Sequence, residues 1–222
     1  MPVKLDERLY AAAVLCRPVE GRTFCDVGCD HGKLACHLAA LGAKKVIATD
    51  ISRPSLAKAV RLAEEFGVSD IVETRAGDGL DIVEAGESDV VIIAGMGGDT
   101  SAEIVSRAAG QDKAFAQCVL SPNPPPEKVR AGRAAAGYRI TADAAVSAGG
   151  KNYTLIAAER GAESLDEMQL LFGKFFRTDE SFPARASAEK RLLESKLGSA
   201  PTHSNARYDA LVKALSEVEN EN

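Results

Sequence analysis

Apolar residues in this chain fall into short runs between polar turns, and their spacing switches between two periods. Leu5, Leu9, Ala12, Ala13 and Cys16 recur at helical spacing, so the chain opens on an amphipathic helix that Pro18 and Gly21 end. Strand-like and helix-like segments then alternate. Strands are expected over Thr23–Val27, Lys45–Thr49, Ile71–Arg75, Val90–Ala94 and Gln117–Leu120. Helices are expected between them, over Lys33–Leu41, Pro54–Phe66, Leu80–Glu84, Ser101–Ala108 and Pro126–Ala136. Ser52 suits the N-cap of the second of these, Gly42 and Gly67 suit helix ends, and Gly132 interrupts the last. Tyr138–Ala145 and Tyr153–Ala158 read as a closing antiparallel pair. This β–α alternation predicts an α/β fold with a mostly parallel sheet covered by helices on both faces.

The pattern changes near Gly161, after which no strand signal appears. Met168, Leu171, Phe172 and Phe175 fit one helix face; Leu192, Leu193 and Leu197 fit a second; Tyr208, Leu211, Val212, Leu215 and Val218 fit a third. Gly198-Ser-Ala-Pro201 is the expected turn between the last two. The division is thus 1–160 for the α/β domain and 161–222 for a helical appendage. That appendage suits an antiparallel helix pair, with a purely structural cap or a dimer contact as an even alternative to a functional role.

In open parallel sheets, ligands bind beyond the carboxyl ends of the strands. Asp26 and Gly28 follow the first strand, and Asp50, with Ile51 beside it, closes the second, 22 residues after Gly28. Asp78 and Gly79 follow the third strand, and Gly95 and Met96 the fourth. One such acid is ordinarily a turn residue, but acids after three successive strands fit S-adenosylmethionine (SAM). Asp26 suits its ammonium, Asp50 its ribose hydroxyls and Asp78 its adenine amine, while Gly28 and Gly95 let backbone approach. A dinucleotide site wants Gly-x-Gly-x-x-Gly. Here Gly28-Cys-Asp-His-Gly32 lacks the middle glycine and brings the last one early.

The 222 residues carry a net charge of −5, so any polyanion must meet a local basic patch. Between Ser121 and Arg139 there are four basic residues against one acid, Glu127. The five cysteines include no Cys-x-x-Cys pair and suit a reducing compartment. Cys29-x-His31 with Cys36-His37 lacks structural zinc spacing, so no metal is expected. No signal peptide and no apolar run of spanning length occur, so the expected location is the cytoplasm, without a membrane.

Asp26-Val-Gly-Cys-Asp-His31, Gly77-Asp-Gly-Leu80, Ile93-Ala-Gly-Met-Gly-Gly98, Leu120-Ser-Pro-Asn123 and Gly150-Lys-Asn-Tyr153 together resemble the bacterial tRNA adenine-22 N1-methyltransferases. The resemblance runs from about Leu5 to Glu159. Lys33-Leu34-Ala35 departs from the family's tyrosine-leucine-proline run, and Ser121 from its glutamine before Pro-Asn. The resemblance implies a Rossmann-like class I methyltransferase with a small coiled-coil-like C-terminal domain, SAM as cofactor, tRNA as partner and no obligate protein partner. Asp30 is then the leading catalytic residue, accepting from the adenine amine, although it could instead cap the helix beginning near Gly32. His31 could contact base or phosphate, or orient Asp30. Asn123 could face the base edge or hold its loop, and the prolines of Ser121–Pro126 could line the substrate mouth or be structural. Arg8, Lys33, Lys128, Arg130, Arg133 and Lys151 are the RNA-binding candidates. Methylation of a small molecule or protein, and a non-catalytic SAM- or RNA-binding module, are the alternatives.

Overall fold

The computed structural model describes residues 2–197 and 205–221. The chain forms two compact units, Met1–Ser164 and Leu165–Asn222. The first opens with α1 (Glu7–Leu15), whose Asp6 side chain accepts from the Leu9 N–H as N-cap. There follow β1 (Thr23–Val27), α2 (Lys33–Ala40), β2 (Lys45–Asp50), α3 (Arg53–Glu65) and β3 (Val72–Ala76). Then come β4 (Val90–Gly97), α4 (Gly98–Gly110), β5 (Gln117–Asn123), α5 (Glu127–Ala135), β6 (Tyr138–Ala148) and β7 (Lys151–Arg160). The strands form one sheet in the order β3-β2-β1-β4-β5-β7-β6. β1 to β5 pair in parallel, and β7 runs antiparallel to both β5 and β6. The expected parallel sheet and its antiparallel closing pair are both present.

Period-two alternation assigns the strand residues to two faces. Phe24, Val46, Val90, Ile92 and Val119 enter one core with Ala12 and Ala13 of α1, Leu34 and Leu38 of α2 and Leu56 and Ala59 of α3. Ile104 and Val105 of α4 and Val129 of α5 are also buried, and these two helices pack on each other and on β4, β5 and β6. Many contact residues are alanine, which lets backbones approach closely. Gly132 serves the same end: a Cβ there would stand 2.7 Å from Ala102 Cβ on α4. α5 therefore runs through Gly132 rather than breaking at it.

Two expectations fail for local reasons. Leu80–Glu84 forms successive turns, not a helix, with Asp81 and Val83 donating three residues back, to Asp78 and Leu80. Side chains take carbonyls that a helix would use: Arg75 donates to Ile82 O and Lys113 to Leu80 O. Strands β4 and β5 also run beyond Ala94 and Leu120, to Gly97 and Asn123, so the first half of the Ser121–Pro126 segment is strand rather than loop.

The second unit contains α6 (Glu167–Phe172), α7 (Phe182–Leu197) and α8 (Ala206–Glu221). Met168, Phe176, Phe182, Ala186, Leu211, Ala214 and Val218 form its core, with Phe172 packed against them. Phe175, Leu192 and Val212, assigned to helix faces by spacing, are exposed. The turn at Gly198–Pro201 and the Leu197 side chain lie outside the described residues. No helix among the described residues is long and apolar enough to cross a membrane.

Arg130 on α5 meets Asp143 on β6 through two hydrogen bonds of 2.8 and 3.0 Å, and both side chains are buried. Removing Asp143 takes both of these hydrogen bonds from a guanidinium buried away from water. Asp143→Ala is expected to cost about 3–5 kcal/mol of stability in urea unfolding. A loss below about 1 kcal/mol, the range of exposed pairs, would contradict this packing.

Candidate functional site

The site begins where β1 ends. The Gly28 and Cys29 N–H groups both donate to Thr49 O, at 2.8 and 3.0 Å, tying the turn to β2. Gly28 has φ +69°, and a Cβ there would fall 2.3 Å from Met96 Cε. Glycine suits this left-handed backbone, and any larger residue would have to displace the end of the Met96 side chain on β4. Asp30 also adopts positive φ, at +47°. Its N–H donates to Asp50 Oδ2 at 3.1 Å, while Ser52 N–H donates to Asp50 Oδ1 at 2.8 Å. Asp50 thus fastens the turns after β1 and β2 together and still keeps lone pairs for further donors.

A cavity of about 200 Å³ opens there, lined by Arg8, Asp26, Gly28, Asp30, His31 and Lys33 among others. Asp26 is buried, and among the described residues its Oδ2 has no hydrogen-bond partner. Burial pushes its carboxyl up to about 7; the Ala35 N–H pulls the other way, and the Asp50 charge adds to the rise. A buried acceptor without a donor, beside an open glycine turn, suits a cationic or donor group of a ligand. Cys29 also lines the cavity, but burial raises its thiol, which keeps it from acting as a nucleophile.

Asp30 has the opposite setting, with its side chain 72% exposed. The α2 N-cap is Gly32, with no side-chain capping bond, so Asp30 does not cap that helix. Its Oδ1 lies 3.4 Å from His31 Nε2, and Lys58 Nζ on α3 lies 3.0 Å from the same nitrogen. With the Lys58 ammonium donating to Nε2, the proton of a neutral ring sits on Nδ1. Lys58 carries no sequence signal, because it reaches His31 from a different helix, 27 residues on.

The remaining expected cofactor residues do not line the cavity. Met96 meets Gly28, and Gly79 O accepts from Thr49 Oγ1 at 3.2 Å. Ile51 is 77% exposed, an apolar surface beside Asp50. Asp78 turns to Arg107 on α4, 3.0 Å away. Asn123 Nδ2 donates to Gly95 O at 2.7 Å, so its amide holds the β4 loop.

Of the basic candidates, Arg8 and Lys33 line the cavity, while Lys128 and Lys151 are exposed. Arg130 and Arg133 are corrected: both are buried, paired with Asp143 and Glu163, and face no solvent where RNA could reach them. The basic excess counted along α5 includes two structural ion pairs.

Three comparisons bear on this geometry. The family model described as a methyltransferase domain matches residues 5–156. A tRNA (adenine(22)-N(1))-methyltransferase of Bacillus subtilis is 32% identical over 163 residues, which are 72% of this chain and 66% of that relative. A Streptococcus pneumoniae structure described as a candidate tRNA (m1A22) methyltransferase superposes with TM-score 0.84 at 26% identity, covering 98% of this chain and 99% of its own. The same S. pneumoniae protein in complex with S-adenosyl-L-methionine gives TM-score 0.81 at 25% identity, with coverage of 98% and 99%.

The Asp26 geometry gives a pH test. Its carboxyl is raised from an ordinary 3.8 to about 7, so the folded state holds a proton that the unfolded state releases. Its contribution to stability is full below about 4 and is lost as pH rises through about 7. Asp26→Asn should therefore raise the melting temperature more at pH 8 than at pH 5. An equal change at both would show that Asp26 is ionised in the fold.

Proposed function

The chain belongs to the methyltransferase-domain family, and we propose that it methylates N1 of adenine 22 in tRNA, in the cytoplasm, with SAM as the methyl donor. The observation that carries the reading is the match to the Bacillus subtilis tRNA (adenine(22)-N(1))-methyltransferase. The residues present fit SAM. The unpartnered Asp26 Oδ2 takes the ammonium, the Gly28 backbone lines the cavity where the amino-acid part would lie, and the Asp50 lone pairs take the ribose hydroxyls. Ile51 offers an apolar face to the adenine ring, and Asp78, held by Arg107, accepts from its amine. A cavity of about 200 Å³ is smaller than the roughly 300–1,000 Å³ of drug-sized ligand pockets. It would therefore house one end of the cofactor, with Asp50, Ile51 and Asp78 the residues that would hold the rest. When bound, SAM supplies an electrophilic methyl group on a sulfonium.

Adenine N1 carries a lone pair, so attack needs no prior deprotonation, but the ring becomes cationic as the bond forms. Asp30 stands at the cavity lip, where its carboxylate accepts from the exocyclic amine and stabilises that charge. His31 Nε2 accepts from Lys58 and stands 3.4 Å from the Asp30 carboxylate without donating to it. Asn123 fixes the β4 loop through Gly95 O, which limits movement where base and cofactor meet. N1 lies on the Watson–Crick edge, so the base must leave its pair, at a cost of a few kcal/mol. Arg8, Lys33, Lys128 and Lys151 offset that cost through phosphate contacts.

Incubating the protein with labelled SAM and unmodified bacterial tRNA, then digesting to nucleosides for mass spectrometry, tests the reading. The expected product is 1-methyladenosine, lost when adenine 22 is replaced. SAM binding without transfer to any tRNA would overturn it. Asp30→Ala is expected to lower kcat by about 10²–10⁴-fold while SAM affinity stays near the parent value. Asp50→Ala should weaken SAM about ten- to a hundredfold. Calorimetry showing the reverse pattern would exchange the two assignments.

A further inference from the structure

A second cavity, of about 270 Å³, is lined by Asp6, Glu7, Arg8, Ala148, Lys151 and Tyr153, with Gly149 at the hairpin tip. Asp6 and Arg8 line both this cavity and the one at the strand ends, so the two share a wall. The Gly150-Lys-Asn-Tyr153 motif, to which the reaction above gives little work, supplies its far side.

Arg8 is the hinge of the arrangement. Its guanidinium carbon lies 5.1 Å from the Tyr153 ring centroid. Nη1 comes within 3.1 Å of where a Cβ on Gly95 would stand. The side chain thus spans from the β6–β7 hairpin to the β4 loop. Among the described residues it has this ring contact but no hydrogen bond or ion pair, which leaves all its donors available. Lys151 is exposed and adds a second cation. Two carboxylates line it as well: Asp6 already accepts from Leu9 N–H at 2.8 Å, and Glu7 is exposed next to it in the chain. A lining that holds both cations and carboxylates fits neither a bare anion nor a bare cation. It fits a group with phosphate at one end and N–H donors at the other.

We propose that this second cavity seats the nucleotide adjoining the target adenine in the RNA chain. Its linking phosphate lies on Arg8, its outer phosphate on Lys151 and its base edge toward Asp6 and Glu7. Tyr153 is a positioning residue, whose ring face holds the Arg8 guanidinium where the linking phosphate must pass. The inference rests on the tRNA reading above. It explains why the strand-end cavity and the hairpin share a single arginine: the spacing of two linked nucleotides is imposed at one point.

The test is steady-state methylation of tRNA at two salt concentrations by the wild type, Tyr153→Leu, Tyr153→Phe and Lys151→Ala, with SAM affinity measured for each. Tyr153→Leu keeps apolar bulk but loses the ring face, and Tyr153→Phe keeps the face. Tyr153→Leu and Lys151→Ala are expected to raise KM for tRNA about five- to tenfold, with kcat changed less than about twofold. SAM affinity stays constant, and Tyr153→Phe matches the wild type. Lys151→Ala also lowers the slope of log affinity against log salt by about one. Lys151 is exposed, so this arm stands even if Tyr153→Leu unfolds. A wild type that methylates tRNA beside variants with unaltered KM and salt slope overturns the subsite alone. So does a Tyr153→Leu defect confined to kcat. A wild type that methylates no tRNA removes the underlying reading and the subsite with it.

Discussion

The site depends on one costly placement: Asp26 is buried near the end of β1 with one oxygen left without a donor among the described residues. An unmatched buried carboxylate works against folding, and burial drives it toward its neutral form. The surrounding structure is organised to hold it there. Thr49 O collects two successive N–H groups from the turn. Gly28 admits Met96, and Asp50 ties the β1 and β2 turns together. A fold tolerates an unmatched group of this kind where a ligand completes it.

Asp26 and Asp30 are four residues apart and sit in opposite surroundings. Asp26 is enclosed, and Asp30 is held outward by a left-handed backbone and an N–H bond to Asp50. Two carboxylates in contrasting environments divide the work between them. In the proposed reaction the enclosed acid binds the cofactor's cation, and the exposed one meets the base as it gains charge. The Arg8 bridge extends the same layout outward, linking the reacting site to the hairpin surface.

Much of this layout was legible in the sequence. The strand runs are short, apolar and bounded by glycine and acid, so the parallel sheet, its strand ends and the acids on them followed from local pattern. Features set by distant partners were not legible. Arg130 and Arg133 read as a basic patch because Asp143 and Glu163, which neutralise them, arrive from elsewhere in the chain. Helical periodicity held a clue, since Val129, Arg133 and Ala136 share a buried face with Arg130. Lys58 was hidden because it reaches His31, in the turn after β1, from α3. The turn at Leu80–Glu84 escaped because Arg75 and Lys113 claim its carbonyls from outside the segment. In the second unit, spacing alone chose Phe175 where packing buries Phe176.

The central claim is that Asp26 waits in its neutral form for the cofactor's ammonium, and counting protons tests it most directly. Calorimetric titration of SAM at pH 6, in buffers of different ionisation heat, gives the number of protons released per SAM bound. With Asp26 protonated before binding and ionised after it, that number is about one, and it falls to zero in Asp26→Asn. No proton release at pH 6, with Asp26→Asn binding SAM as tightly as the wild type, would contradict the account.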